Sequence, residues 1–192
     1  MQKFSGLSFI SRVILIFILL QAPLVMSQSE IKQNLLTEDN TRLVTDNVMG
    51  GVSTGEIKWS NQSQSQCLSL TGEVSTLNNG GFIQATVDIK SDDALNLTME
   101  DGVRIKIIGN GHDYNIHLRT TNLWFPWQAY RSTFKTDHNW QTLNISFKDF
   151  MPYKTSTKLN PEKIKRIGIV AIGRDFEADI CIAELGFYKN MH

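Results

Sequence analysis

Three groups of residues have types and spacing that suggest chemistry. Arg104, Lys106, His117, Arg119 and Arg131 fall on one parity of three strand-like runs. If the other parity faces a core, these five side chains share one cationic, hydrogen-bonding sheet face suited to an acidic partner or an anionic glycan. The alternative is an ordinary solvated face whose charges pair across strands with acids such as Asp88 and Glu73. Trp124, Phe125 and Trp127 crowd around Pro126 in a segment between strands. There a rigid aromatic platform stacks on a sugar ring or anchors a peptide, unless the loop folds its rings onto its own domain. Asp46 and Asn47 precede a Gly-Gly pair, where a carboxylate either joins a cation site or, more simply, caps the turn through side-chain to backbone bonds.

No group of residues points to catalysis. The four histidines are scattered, and only His117 lies in a strand-like run. The metal-helix, paired-cysteine, nucleophile-elbow and phosphate-loop motifs are all missing. Gly109-Asn110-Gly111 follows a strand but leads into another strand, which excludes the dinucleotide fingerprint. The expectation is a non-enzyme with no cofactor and no metal.

These residues must be positioned by β-structure, because the apolar period is two nearly throughout. Ile83, Ala85, Val87 and Ile89 alternate with polar residues, as do Val103, Ile105 and Ile107, then Tyr114, Ile116 and Leu118. The Asn110-Gly111 step between the last two runs predicts an antiparallel hairpin over about 102–120. Tyr130 to Phe134 and Leu143 to Phe147 continue the alternation. Ile167–Ile172 is unbroken apolar sequence, as expected of a central strand, and 178–188 forms a closing strand. The single helical signal is Asn160-Pro161-Glu162, a capped start. Many short strands with almost no helix predict an antiparallel β-sandwich or jelly roll.

Glycine pairs punctuate the pattern at Gly50-Gly51 and Gly80-Gly81, each just before a strand, where the backbone turns sharply or takes positive φ. Asp46, Gly50, Gly51, Gly80 and Gly81 are therefore expected to be structural. Cys67 and Cys181 both sit at polar parity in strand-like runs. A disulfide between them is compatible with export, and two unpaired, half-buried thiols are the alternative.

The chain has 192 residues with 19 basic and 19 acidic side chains. Residues 1–27 read as a secretory signal peptide: Lys3 and Arg12, an apolar run Val13–Leu20, and Val25-Met26-Ser27 at the cleavage point. Gln21 and Pro23 cut the run too short for a retained anchor. Cleavage leaves 165 residues with 17 basic and 19 acidic side chains, a net charge of about −2. That balance speaks against nucleic-acid binding. The expected location is periplasmic or secreted. Residues 28–42 form a polar N-terminal segment, a linker or first edge, and 43–190 a single domain. Asn61, Asn96 and Asn144 head Asn-x-Ser/Thr sequons.

Over roughly residues 43–188 the chain resembles the complex I intermediate-associated protein 30 domain family. The matching pieces are Asp46-Asn47-Val48-Met49-Gly50-Gly51-Val52-Ser53, Asn79-Gly80-Gly81-Phe82, Gly102–Lys106 and Tyr114–Arg119. Tyr130–Phe134, Trp140-Gln141-Thr142, Phe147–Phe150 and Ile164–Ile172 follow in order. The resemblance implies a galactose-binding-like jelly roll and a chaperone-like assembly role without catalysis. Residues and resemblance together lead to an exported, non-catalytic module that binds a protein partner as an assembly factor. The other reading is a jelly-roll carbohydrate-binding module. Coplanar exposed rings at Trp124 and Trp127 favour sugar, and a mixed apolar patch with a polar rim favours protein.

Overall fold

The computed structural model describes residues 31, 33–89 and 96–190, so residues 1–27, expected to be a signal peptide, lie outside the described residues. The described residues form eleven strands: β1 (Thr41–Thr45), β2 (Thr54–Gln62), β3 (Ser65–Val74), β4 (Phe82–Asp88), β5 (Gly102–Gly109), β6 (Asp113–Thr120), β7 (Ala129–Lys135), β8 (Gln141–Ser146), β9 (Met151–Tyr153), β10 (Ile164–Ile172) and β11 (Phe176–Tyr188). They build a six-stranded sheet in the order β1-β4-β10-β6-β7-β9 and a five-stranded sheet in the order β2-β3-β11-β5-β8. All pairings are antiparallel.

The alternating residues fill the space between the sheets. Ile83, Ala85, Val87, Ile105, Ile107, Tyr114, Ile116, Leu118, Ile169 and Ile180 are all buried in one apolar cluster. β10 is flanked by β4 and β6, and its outward residues Gly168 and Val170 are buried too, which accounts for its unbroken apolar sequence. The helical signal at Asn160 becomes one 3-10 turn, Pro161–Lys163, with the Asn160 side chain accepting from Glu162 N at 3.0 Å.

The hairpin expected over 102–120 does not form. β5 lies in the five-stranded sheet and β6 in the six-stranded one, so residues 109–112 carry the chain from one sheet to the other. The edges explain why. β5 is paired on both sides, by β11 and β8, and β6 on both sides, by β10 and β7. The apolar faces of β5 and β6 thus meet across the core instead of lying side by side. The crossing is tied down locally: Asn110 N donates to Asp179 O at 3.1 Å, and Gly111 N to Thr136 Oγ1 at 3.1 Å. Tyr114 Oη donates to Asn110 Oδ1 at 3.0 Å and accepts from Asp179 N at 2.9 Å.

The end of the polar N-terminal segment joins the sandwich. Leu35 and Leu36 are buried in the core, Leu35 N donates to Leu185 O at 2.7 Å, and β1 begins at Thr41, two residues before the expected start. Cys67 and Cys181 are disulfide-bonded with Cα atoms 5.6 Å apart. The bond sits on the outer face of the five-stranded sheet, buried under Ile108, Ala183 and Trp140. Among the described residues no helix is long and apolar enough to cross a membrane.

Candidate binding face

The two glycine clusters are one construction. Asp46 opens a 3-10 turn, Asp46–Met49, and its side chain is fully buried. Its carboxylate accepts from Ser53 N at 3.0 Å, from Ser53 Oγ, from Gly81 N and from Phe82 N at 3.2 Å. One side chain therefore joins the entry to β2 with the entry to β4. Both carboxylate oxygens face N–H or O–H donors, surroundings that favour a turn-binding anion and repel a cation. Burial alone would raise its pKa, but these hydrogen bonds hold it below the usual carboxylate range.

The glycines serve this carboxylate in two ways. Gly50 (φ 86°) and Gly81 (φ 122°) occupy the left-handed region. Gly51 and Gly80 instead make room: a Cβ on Gly51 would lie 2.3 Å from Asp46 Cγ, and one on Gly80 would lie 2.4 Å from Asp46 Oδ2. Gly51→Val and Gly81→Val should each lose roughly 1–3 kcal/mol, the first by collision and the second by backbone strain. Urea unfolding measures this, and parent-like midpoints for both variants would refute it.

The five-residue cationic face is divided by the fold. Arg104 and Lys106 project from the five-stranded sheet, where Lys106 lies 3.8 Å from Glu184 and 5.8 Å from the Trp140 ring centroid. His117, Arg119 and Arg131 project from the opposite side of the sandwich, on the outer face of the six-stranded sheet. The misplaced hairpin is the cause, since it would have put β5 beside β6. Glu73 is on the five-stranded sheet opposite Glu177, so it neutralises none of the second group. Asp88 belongs to the six-stranded face and is bound by Arg42 and by Arg166 Nε.

On that face His117 and Arg131 are direct cross-strand partners. The Arg131 guanidinium lies 4.1 Å from the Tyr153 ring centroid, with Lys154 Nζ 5.5 Å from the same ring. Tyr153 comes from β9, a strand of three residues too short to show periodicity, so nothing in the sequence links it to Arg131. Arg119, the next outward residue of β6, reaches the aromatic loop. Its Nη1 donates to Pro126 O and its Nη2 to Phe125 O at 3.0 Å. His117 Nε2 and Arg119 Nε are buried without a hydrogen-bond partner among the described residues.

The loop holds its shape through backbone groups and presents its rings outward. Gln128 Oε1 accepts from Trp124 N and Phe125 N, both at 3.1 Å, and Gln128 Nε2 donates to Lys154 O at 3.2 Å. Leu123 is buried beneath it. Trp124 is 91% exposed, Phe125 52% and Trp127 51%. Phe125 and Trp127 stack with centroids 4.9 Å apart and planes 6° apart, one aromatic slab rather than two rings in a plane. The arrangement combines an exposed aromatic slab and a clamped cation in one neighbourhood, the parts needed to stack on a ring and meet its polar substituents.

Burial, helped by the charge of Arg131, pushes the His117 imidazole down to about 4, so it is neutral at pH 7. The folded value lies below the ordinary 6.5, hence the unfolded chain takes up the proton first. The stability tied to His117 is full above about pH 6.5 and declines as pH falls toward 4. Thermal melts over that window should show the parent losing ground to His117→Gln as the solution is acidified. Parallel curves would remove His117 from the titration. Among the described residues no group of three or more His, Cys, Asp or Glu converges to hold a metal ion.

The profile of the family described as "Complex I intermediate-associated protein 30 (CIA30)" matches residues 28–182, and the chain belongs to that family. No curated protein sequence matches it. Among solved structures it resembles the "Family 11 Carbohydrate-Binding Module" of the cellulosomal cellulase Lic26A-Cel5E of Clostridium thermocellum, with TM-score 0.67 and 11% identity over 86% of this chain and 96% of that one. A family 11 carbohydrate-binding module from Clostridium thermocellum in complex with a beta-1,3-1,4-mixed-linked tetrasaccharide gives TM-score 0.68, 11% identity and coverage of 85% and 97%. A family 30 carbohydrate-binding module gives TM-score 0.54, 12% identity and coverage of 72% and 75%. At these identities the likeness establishes the fold, an antiparallel jelly-roll sandwich of the galactose-binding-like kind.

Proposed function

We propose that this family member is an exported, non-catalytic module that binds a glycan on the outer face of its six-stranded sheet. The observation that carries the reading is the exposed Trp124-Phe125-Pro126-Trp127 loop, fastened by Arg119 to a face where His117 and Arg119 keep buried polar atoms unpartnered. Exposed aromatics on a loop whose form does not depend on them are hard to explain by folding. Solved modules of the same fold that are described as carbohydrate-binding support the assignment. Export follows from the signal-like leader, and a disulfide closing a 114-residue separation suits an oxidising compartment.

A protein partner is the second reading. It is favoured by Val48, Met49, Val52 and Leu77, large apolar side chains left exposed on the turns that Asp46 joins. Binding of the mature chain to an array of neutral and acidic polysaccharides, followed by calorimetry, decides between them. Saturable binding that requires the aromatic loop supports the glycan. No polysaccharide binding, together with stoichiometric capture of one protein from the native compartment, overturns it in favour of the protein.

A further inference from the structure

If the outer face of the six-stranded sheet is a glycan site, its charge selects the class of sugar. The strand register places Arg42, Arg166, Arg119, Arg131 and Lys135 on this face, against the acids Asp88 and Asp113. Asp88 is engaged by Arg42 and Arg166 at the β1-β4-β10 side, and Asp113 sits opposite Lys135 at the end away from the loop. At the loop end of the β6-β7-β9 side no such compensation is found among the described residues. Arg119 gives its donors to two neutral carbonyls, which leaves its charge unbalanced. Arg131 lies over an aromatic ring and makes no ion pair with a described residue, and Lys154 approaches the same ring. Beside them His117 Nε2 is buried and unpartnered.

We propose that the face takes an acidic glycan, with a carboxylate or sulfate group held by Arg131 beside His117 and the adjoining ring directed to the Phe125–Trp127 slab. A guanidinium held over a ring face leaves donors available for contact with an oxyanion. A neutral sugar would leave three neighbouring cations unbalanced. The mature chain carries a net charge of about −2, so the attraction comes from this patch and not from a basic protein. Screening over about 8 Å at physiological salt confines the field to direct contact.

The test is calorimetry of the full mature chain with oligogalacturonate, a sulfated galactan oligosaccharide and a neutral mixed-linkage β-glucan oligosaccharide, at low and at physiological ionic strength. An acidic oligosaccharide should bind at least about tenfold more tightly than the neutral one, with affinity falling as salt rises. Arg131→Gln should remove about tenfold or more of that affinity at an unchanged Tm, Arg131→Lys should restore part of it, and Lys58→Gln on the opposite sheet should have no effect. The uronate and sulfate arms separate the two sources of the anion. Equal, salt-independent binding of the neutral oligosaccharide would overturn the acidic class while leaving a glycan site. No binding of any of the three would overturn the glycan site itself. Salt-sensitive binding untouched by Arg131→Gln and by loss of both loop tryptophans would reduce the effect to general adsorption and overturn the proposal.

Discussion

Trp124→Ala combined with Trp127→Ala should abolish ligand binding while the protein melts close to the parent temperature. Each ring is exposed beside the polar face, and an aromatic anchor of a binding site costs about 2 kcal/mol or more on truncation, so the pair is expected to cost about 4 kcal/mol, close to a thousandfold in affinity. The loop itself should survive. Gln128 and Arg119 grip its backbone groups, and Leu123 pins it from below. The stability lost is confined to the Phe125–Trp127 stack, about 0.5–1.5 kcal/mol. Rings packed on their own domain would behave oppositely and cost roughly 3–5 kcal/mol each when removed. Calorimetry and thermal melts on one preparation distinguish the outcomes: a large drop in Tm with affinity retained would assign the loop to the fold.

Asp46→Ala should be the most destabilising single substitution, about 3–5 kcal/mol, the cost of leaving several buried polar groups without their charged partner. Four donors from three residues converge on this carboxylate. Asp46→Asn should recover only part of the loss, because an amide nitrogen would face donors it cannot accept from. The pH dependence has a definite sign. The folded carboxyl is held below its ordinary value, so its contribution is present above the unfolded pKa and disappears as pH falls through the folded one. Urea unfolding at neutral pH and near pH 3 measures both effects. A neutral-pH loss under about 1 kcal/mol would mean that the glycine turns hold their form without Asp46.

The predicted pattern of burial and the observed one agree wherever the interaction is local. Ile83, Ala85 and Val87, or Tyr114, Ile116 and Leu118, face the core because successive side chains alternate across a strand, a property each segment carries alone. The same holds for Asn160 as a cap, and the aromatic loop was visible as four unusual residues between two alternating runs. The sequence determined the sandwich class, its core residues and one piece of the candidate binding face.

Which strands lie side by side was decided only by the tertiary structure. Asn110-Gly111 has the composition of a hairpin turn, yet β11 and β8 occupy the edges of β5 while β10 and β7 occupy those of β6. Edge pairing is a competition among all strands of the chain, and no local signal reports its outcome. That competition sent Arg104 to the far side of the molecule and brought Tyr153 to Arg131. It also turned Asp46 from a cap on its own turn into a link to the second glycine cluster, whose Gly81 lies 35 residues further along the chain. Side-chain parity is set within a few residues by backbone geometry, whereas the neighbours of a sheet face depend on contacts between segments far apart in the chain.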